Sequence, residues 1–162
     1  MKNVPTGEAE ALMRLAVDAA RRGIQRGQSP FGCAISLDGM PIAVVHNRVF
    51  ASTDITAHAE ITALREACSK AGRIHLQGAI VASTCEPCPM CMSALHWARV
   101  DRVYCGATIE DATDVGFNEL RVSAAELIRL GGSPIHLVQG ILAEECRALF
   151  AEWRASPAYH PY

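Results

Sequence analysis

The 162-residue sequence predicts a three-layer α/β/α sandwich around a five-stranded mixed sheet. Three observations point there. Helix-like and strand-like apolar stretches follow one another in the order α-β-β-α-β-α-β-α-β-α, the alternation of a layered α/β fold. One strand, "GAIVAST" at residues 78–84, is apolar throughout, as a strand buried on both faces must be. Half of the residues are hydrophobic and 20% are charged, enough for one compact core that needs no covalent staple.

The elements follow in order. Between residues 8 and 26, Leu12, Leu15, Ala16, Ala19 and Ala20 mark one face of an amphipathic helix. "FGCAISL", "DGM" and "PIAVVHN" read as two strands around a tight turn, for which Asp38-Gly39 is suited. "AHAEITALREACSKAG" is helical, with Ile61, Leu64 and Ala67 apolar and Gly72 ending it. The central strand comes next, then "PMCMSALHWAR" as a helix with Pro89 in its first turn. "RVYCGA" is a strand, "SAAELIRLGG" a helix, "PIHLVQG" the last strand and "LAEECRALFAEWR" the closing helix. No repeat, low-complexity stretch or linker interrupts this order. A single domain is expected over residues 1–155, followed by a tail at 156–162.

Composition narrows the partners. The first residues form no apolar run of the secretory kind, and charges break the longest apolar stretches, so a cytoplasmic protein without a membrane span is expected. The formal charge of −2 offers no broad basic surface, so nucleic acid is not an expected partner. In a reducing compartment, cysteine pairs are more often metal-binding or redox-active than bridged, and the odd total of seven fits a disulfide framework poorly.

The chemistry concentrates in "TCEPCPMC", residues 84–91, directly after the central strand. Cys88 and Cys91, three apart on the following helix, share a face at its N-terminus, where the helix dipole favours thiolates. Two thiolates do not close a structural zinc site, and the chain has no second Cys-x-x-Cys pair. "TAHAEITAL" supplies His58 at the start of the preceding helix, with Glu60 two residues on. His58, Cys88 and Cys91 would give zinc three protein ligands and leave a fourth position for water, the pattern of a catalytic site. Two thiolates already balance the ion's charge, so it would acidify its water less, and Glu60 is expected to shuttle that proton. His-x-Glu with Pro-Cys-x-x-Cys is the signature of zinc nucleobase deaminases, in which water displaces a ring amino group as ammonia. Cys33, Cys68, Cys85, Cys105 and Cys146 read as small apolar packing residues. His75, His96, His136 and His160 lack ligand-like spacing.

These motifs carry a resemblance. "SPFGCAI", "NRV", "TAHAEITALREAC", "CEPCPMC", "WAR" and "DATDVGF", in this order from Pro30 to Phe117, resemble the cytidine deaminase superfamily, and within it the guanine-deaminating bacterial branch. The resemblance implies a cytidine deaminase-like fold and zinc held by His58, Cys88 and Cys91. It also implies Glu60 as proton shuttle, a homodimer, and a free purine or related amino-oxo base as small-molecule substrate, with guanine first. It places the substrate-binding asparagine at Asn47, whose amide offers both a donor and an acceptor to a base edge. Ala59, between His58 and Glu60, is counted with the substrate contacts.

Guanine deaminases carry a second acid in a Phe-Asp-Asp run; here the run is Phe117-Asn118-Glu119, so Glu119 stands as the second catalytic carboxylate, one methylene longer. That departure keeps deamination but opens the substrate to a guanine nucleoside, an oxidised guanine, a triazine or a cytosine-type base. Phe31, Trp97 and Phe117 are the aromatic candidates to sandwich a flat ring. The ending "AYHPY" resembles the family's pocket-closing C-terminus and makes Tyr162 a candidate lid residue. A tRNA adenosine deaminase shares "PCPMC" and "AHAE", but Glu144, Glu145 and Glu152 offset Arg129, Arg147 and Arg154 here. A catalytically silent zinc module is the non-enzymatic alternative; it would have no use for Glu60.

Overall fold

The computed structural model describes residues 6–162, so the first five residues of the expected domain lie outside the description. Twelve elements follow one another: α1 (Thr6–Gln25), β1 (Gly32–Leu37), β2 (Met40–His46), α2 (Val49–Ser52), α3 (Ala59–Ala71) and β3 (Ile80–Cys85), then α4 (Pro89–Trp97), β4 (Arg102–Ala107), α5 (Ile109–Asp114), α6 (Ala124–Gly131), β5 (His136–Gln139) and α7 (Ala143–Arg154). The strands form one sheet in the order β2-β1-β3-β4-β5. β1 runs antiparallel to both β2 and β3, whereas β3, β4 and β5 are parallel, so the sheet is mixed and "GAIVAST" supplies its middle strand.

The hairpin turn is the one its sequence demands. Asp38 (φ 52°) and Gly39 (φ 77°) both adopt left-handed backbone, which the right-handed twist of paired strands favours in a two-residue turn. Gly32 has a different reason: a Cβ there would overlap the Ala16 carbonyl, so its absence lets α1 lie directly on β1.

Helices cover both faces. On one, Met13, Ala16 and Val17 of α1 and Leu149, Phe150 and Trp153 of α7 pack on Ala34, Ala82 and Tyr104 of the sheet. On the other, Ala63, Leu64 and Ala67 of α3 and Met92 and Leu95 of α4 pack on Ile35, Val81 and Val103. Alternate residues of each strand thus feed opposite cores.

Two short helices go beyond the expected order. α5 has a readable start: Thr108 accepts the Asp111 N–H while the Asp111 carboxylate accepts the Thr108 N–H, a capping box. The four-residue α2 has no side-chain cap and too few residues to show a period.

Candidate metal centre and base pocket

Because β1 is antiparallel to both, β2 and β3 run in the same direction, and α3 and α4, which come after them, start close to one another. His58 is the N-cap of α3, Cys88 the N-cap of α4, and neither makes a side-chain capping bond. Serine, threonine or aspartate at such positions folds back onto the helix; these two side chains instead reach across the gap. His58 Nδ1 lies 3.7 Å from the sulfurs of both Cys88 and Cys91. The three donor atoms fall within 4.8 Å of one another. A tetrahedral zinc with Zn–S of about 2.3 Å and Zn–N of about 2.0 Å would hold sulfur and nitrogen about 3.5 Å apart, so the donors fit the ion.

Glu60, in the first turn of α3, is 6% exposed. Its Oε1 accepts the Ser83 hydroxyl at 2.9 Å, and the Cys91 thiol donates to Oε2 at 3.5 Å. Burial first, then the charge of Cys88, raises its pKa above the usual carboxylate value. The Cys88 thiol falls to about 4, because it takes the hydrogen bond of Cys91 and that of His58 against the cost of burial. Burial disfavours a charged His58 ring, but the Cys88 hydrogen bond and the Glu60 charge outweigh it and raise its pKa. The result is a half-buried, thiolate-bearing cradle beside a buried carboxyl poised to accept and return a proton.

A narrow cavity opens beside the cradle, lined by Phe31, Asn47, His58, Glu60, Cys85, Glu86, Cys88, Phe117, Glu119 and Tyr162. Asn47 is fully buried; its Oδ1 accepts the Val49 N–H at 3.0 Å and its Nδ2 donates to the Tyr162 hydroxyl at 2.8 Å. Phe31 and Phe117 meet with ring centroids 4.8 Å apart, and Trp153 stacks behind Phe117 at 5.0 Å. Glu119 enters from the loop between α5 and α6, and burial, then the Cys88 charge, raises its pKa as well. The tail folds back onto its own chain. The Tyr159 hydroxyl donates to the Val115 carbonyl, the Tyr162 carbonyl accepts the Asn118 N–H, and the Tyr162 ring stands edge-on to Phe117 and Phe50. Burial pushes the Tyr162 phenol up to about 12, so it stays neutral.

The cavity therefore gathers His58, Glu60, Cys88, Asn47, Phe31, Glu119 and Tyr162, with Cys91 directly behind it. Two expected contacts differ. Trp97 is the last residue of α4, about 13 Å of helix beyond Cys88. It is 72% exposed and borders a groove with His96, Ile128 and Ser133, so its indole cannot sandwich a base here. Ala59 is fully buried, with its methyl in the core between α3 and the sheet; only its place in the chain, between His58 and Glu60, bears on the site. Cys85 packs as expected and donates to the Thr108 carbonyl at 3.2 Å. Sequence reasoning passed over Glu86, a buried carboxylate between two motif cysteines. Its exclusion from the hydrophobic reading of that segment was the available signal.

Comparison with known proteins agrees with this geometry. The pattern of the cytidine and deoxycytidylate deaminase zinc-binding region matches residues 6–107. A guanine deaminase of Bacillus subtilis is 43% identical over 111 residues, covering 68% of this chain and 71% of its own. A tRNA-specific adenosine deaminase of Agrobacterium fabrum is 43% identical over 100 residues, 62% of this chain and 66% of its own. The structure of the guanine deaminase from Nitrosomonas europaea superposes with a TM-score of 0.82 at 29% identity, covering 90% of this chain and 84% of that one. The helix-capped sheet rim and its three-donor cradle are those of a zinc-dependent deaminase. The chain belongs to the cytidine and deoxycytidylate deaminase family.

Proposed function

We propose that this deaminase acts on a free guanine-type base, converting guanine to xanthine with release of ammonia. The observation that carries the reading is Tyr162: it lines the cavity and its hydroxyl engages Asn47 at 2.8 Å, an arrangement that suits a detached base better than a nucleotide still joined to a polymer. A detached base can be enclosed behind such a lid, and its exclusion from water strengthens every polar contact inside. Guanine presents a carbonyl and ring nitrogens that suit the donor and acceptor of the Asn47 amide. Base entry then displaces the phenol from Nδ2, and the tail recloses over the bound ring.

Zinc held by His58, Cys88 and Cys91 would supply Lewis acidity toward the attacking water. Glu60 takes one proton from the attacking water and delivers it to the ring nitrogen beside the attacked carbon; it then takes the second proton from the new hydroxyl and gives it to the departing amine, so that the carbonyl forms as ammonia leaves. Ser83 holds the Glu60 carboxylate in the orientation this requires. Phe31 and Phe117 confine the ring plane, and Glu119 assists proton transfer or contacts the exocyclic amine.

The A. fabrum similarity favours a second reading, adenosine in tRNA. Ammonia release measured with guanine, guanosine, 8-oxoguanine, isocytosine, cytosine, adenine, a triazine and a tRNA anticodon stem-loop separates the two. Guanine is expected to be turned over fastest; activity confined to the stem-loop would overturn the proposal. We further propose a cytoplasmic homodimer; among the described residues no helix is long and apolar enough to cross a membrane. Light scattering at micromolar concentration checks the dimer.

A further inference from the structure

Glu86 is a buried carboxylate that the proton transfers above leave unused. It is 6% exposed and sits two residues before Cys88. Its main-chain N–H donates to the Ala107 carbonyl at 2.8 Å, which extends the β3–β4 pairing by one step and fixes its backbone. Its side chain reaches elsewhere: Oε1 accepts the N–H of Ala124, the first residue of α6, at 2.7 Å. The helix already has a local cap, since Ser123 Oγ accepts the Glu126 N–H at 3.1 Å. Glu86 thus adds a second, long-range acceptor at the positive end of α6.

The segment this bond secures carries Glu119. Residues 117–123 have no regular structure. The segment is anchored at one end by Phe117, which is 4% exposed, and at the other by Ala124, which is 1% exposed. Between those anchors, the Glu119 and Val122 N–H groups bond only within the segment, to Phe117 and Leu120, and Asn118 bonds to the tail. The Glu86–Ala124 bond ties the far end directly to the segment that bears the zinc-binding cysteines. We propose that Glu86 is a positioning residue. Through the Ala124 N–H it sets how far Glu119 projects into the cavity relative to Glu60 and the metal cradle. This rests on the role given to Glu119 above. A displacement of about 1 Å in such a group costs roughly 100-fold in rate, so one buried hydrogen bond is enough to matter.

Two variants remove the bond from opposite sides. Glu86→Ala deletes the acceptor. Ala124→Pro deletes the donor at the helix position where proline is best tolerated, after a Ser123 already extended at φ −66°, ψ 151°. Both are expected to keep one zinc per chain, speed amide exchange across residues 118–124 by about tenfold or more, and lower kcat about 10- to 100-fold with a smaller change in KM. Glu86→Gln retains an oxygen for Ala124 and should recover most of both. Glu86→Ala combined with Glu119→Gln should be no slower than Glu119→Gln alone. Unchanged exchange in both tether variants, or fully additive losses in the double variant, would overturn the proposal. If Glu119→Gln turns over at the wild-type rate, the role of Glu119 falls, and faster exchange in the two tether variants still upholds the tether.

Discussion

The two walls of the cavity are built on different principles. The metal wall (His58, Glu60, Cys88 and Cys91) comes from the first turns of two helices that flank one central strand. The opposite wall draws Phe31 from before β1, Asn47 from after β2, Phe117 and Glu119 from a loop, and Tyr162 from the tail. Residues on the first wall are placed by hydrogen-bonded helix starts and a buried sheet. Those on the second are placed by rings against rings and by single polar contacts across more than a hundred residues of sequence. Reaction chemistry tolerates little displacement and sits mostly on the rigid part; Glu119 is the exception, a loop carboxylate whose segment Glu86 ties back to the first wall. Substrate choice sits where loops can change without disturbing the core.

If the walls divide the labour in this way, damage to the first should abolish all turnover and damage to the second should redistribute it. The largest effect is expected from Glu60→Gln. The isosteric amide keeps the fold and the zinc but cannot carry the proton, so kcat should fall by about 10³-fold or more on every substrate. Steady-state ammonia release beside zinc analysis checks this, and an active variant would remove Glu60 from the mechanism. Cys88→Ala should lose most of its zinc, read by elemental analysis after dialysis; full retention would take Cys88 out of the cradle.

Deletion of residues 158–162 strikes the second wall. It should leave zinc content intact and lower the Tm modestly, because Tyr159 packs edge-on to the buried Trp153 with centroids 4.9 Å apart. Turnover of a free base should drop strongly, while any activity on a stem-loop is spared or raised. Equal loss on both substrates would blur the distinction between the walls. The smallest effect belongs to Trp97→Ala: with the indole exposed at the far end of α4, kcat and KM for a free base should stay within about twofold of wild type, the behaviour of a surface site.

The same division explains what the sequence could show. His58, Glu60, Cys88 and Cys91 were legible because their spacing is local: two short motifs, each opening a helix, state both the donors and their geometry. The layer order was legible for the same reason, since each strand and long helix carries its own apolar period. Trp97 misled because aromatic character says nothing about which end of a helix a residue occupies relative to the sheet rim. Glu86 was invisible as a tether because its partner is a main-chain N–H 38 residues away, and a main-chain donor leaves no mark in side-chain identity. The Asn47–Tyr162 bond spans 115 positions, and only the folded chain reveals that the tail folds back to line this cavity.

The missing side-chain caps of α3 and α4 have a consequence for how the fold is held. An ordinary N-cap contributes about 1 kcal/mol, and here two helix starts forgo it, aiming His58 and Cys88 at a common point instead. An ion at that point fastens both helix starts together, and a ligand that binds only the native chain stabilises it by RT ln(1 + [L]/Kd). Each tenfold rise in free zinc above Kd then adds about 1.4 kcal/mol of stability. Stability of the fold, and not merely turnover, would then follow the free zinc concentration.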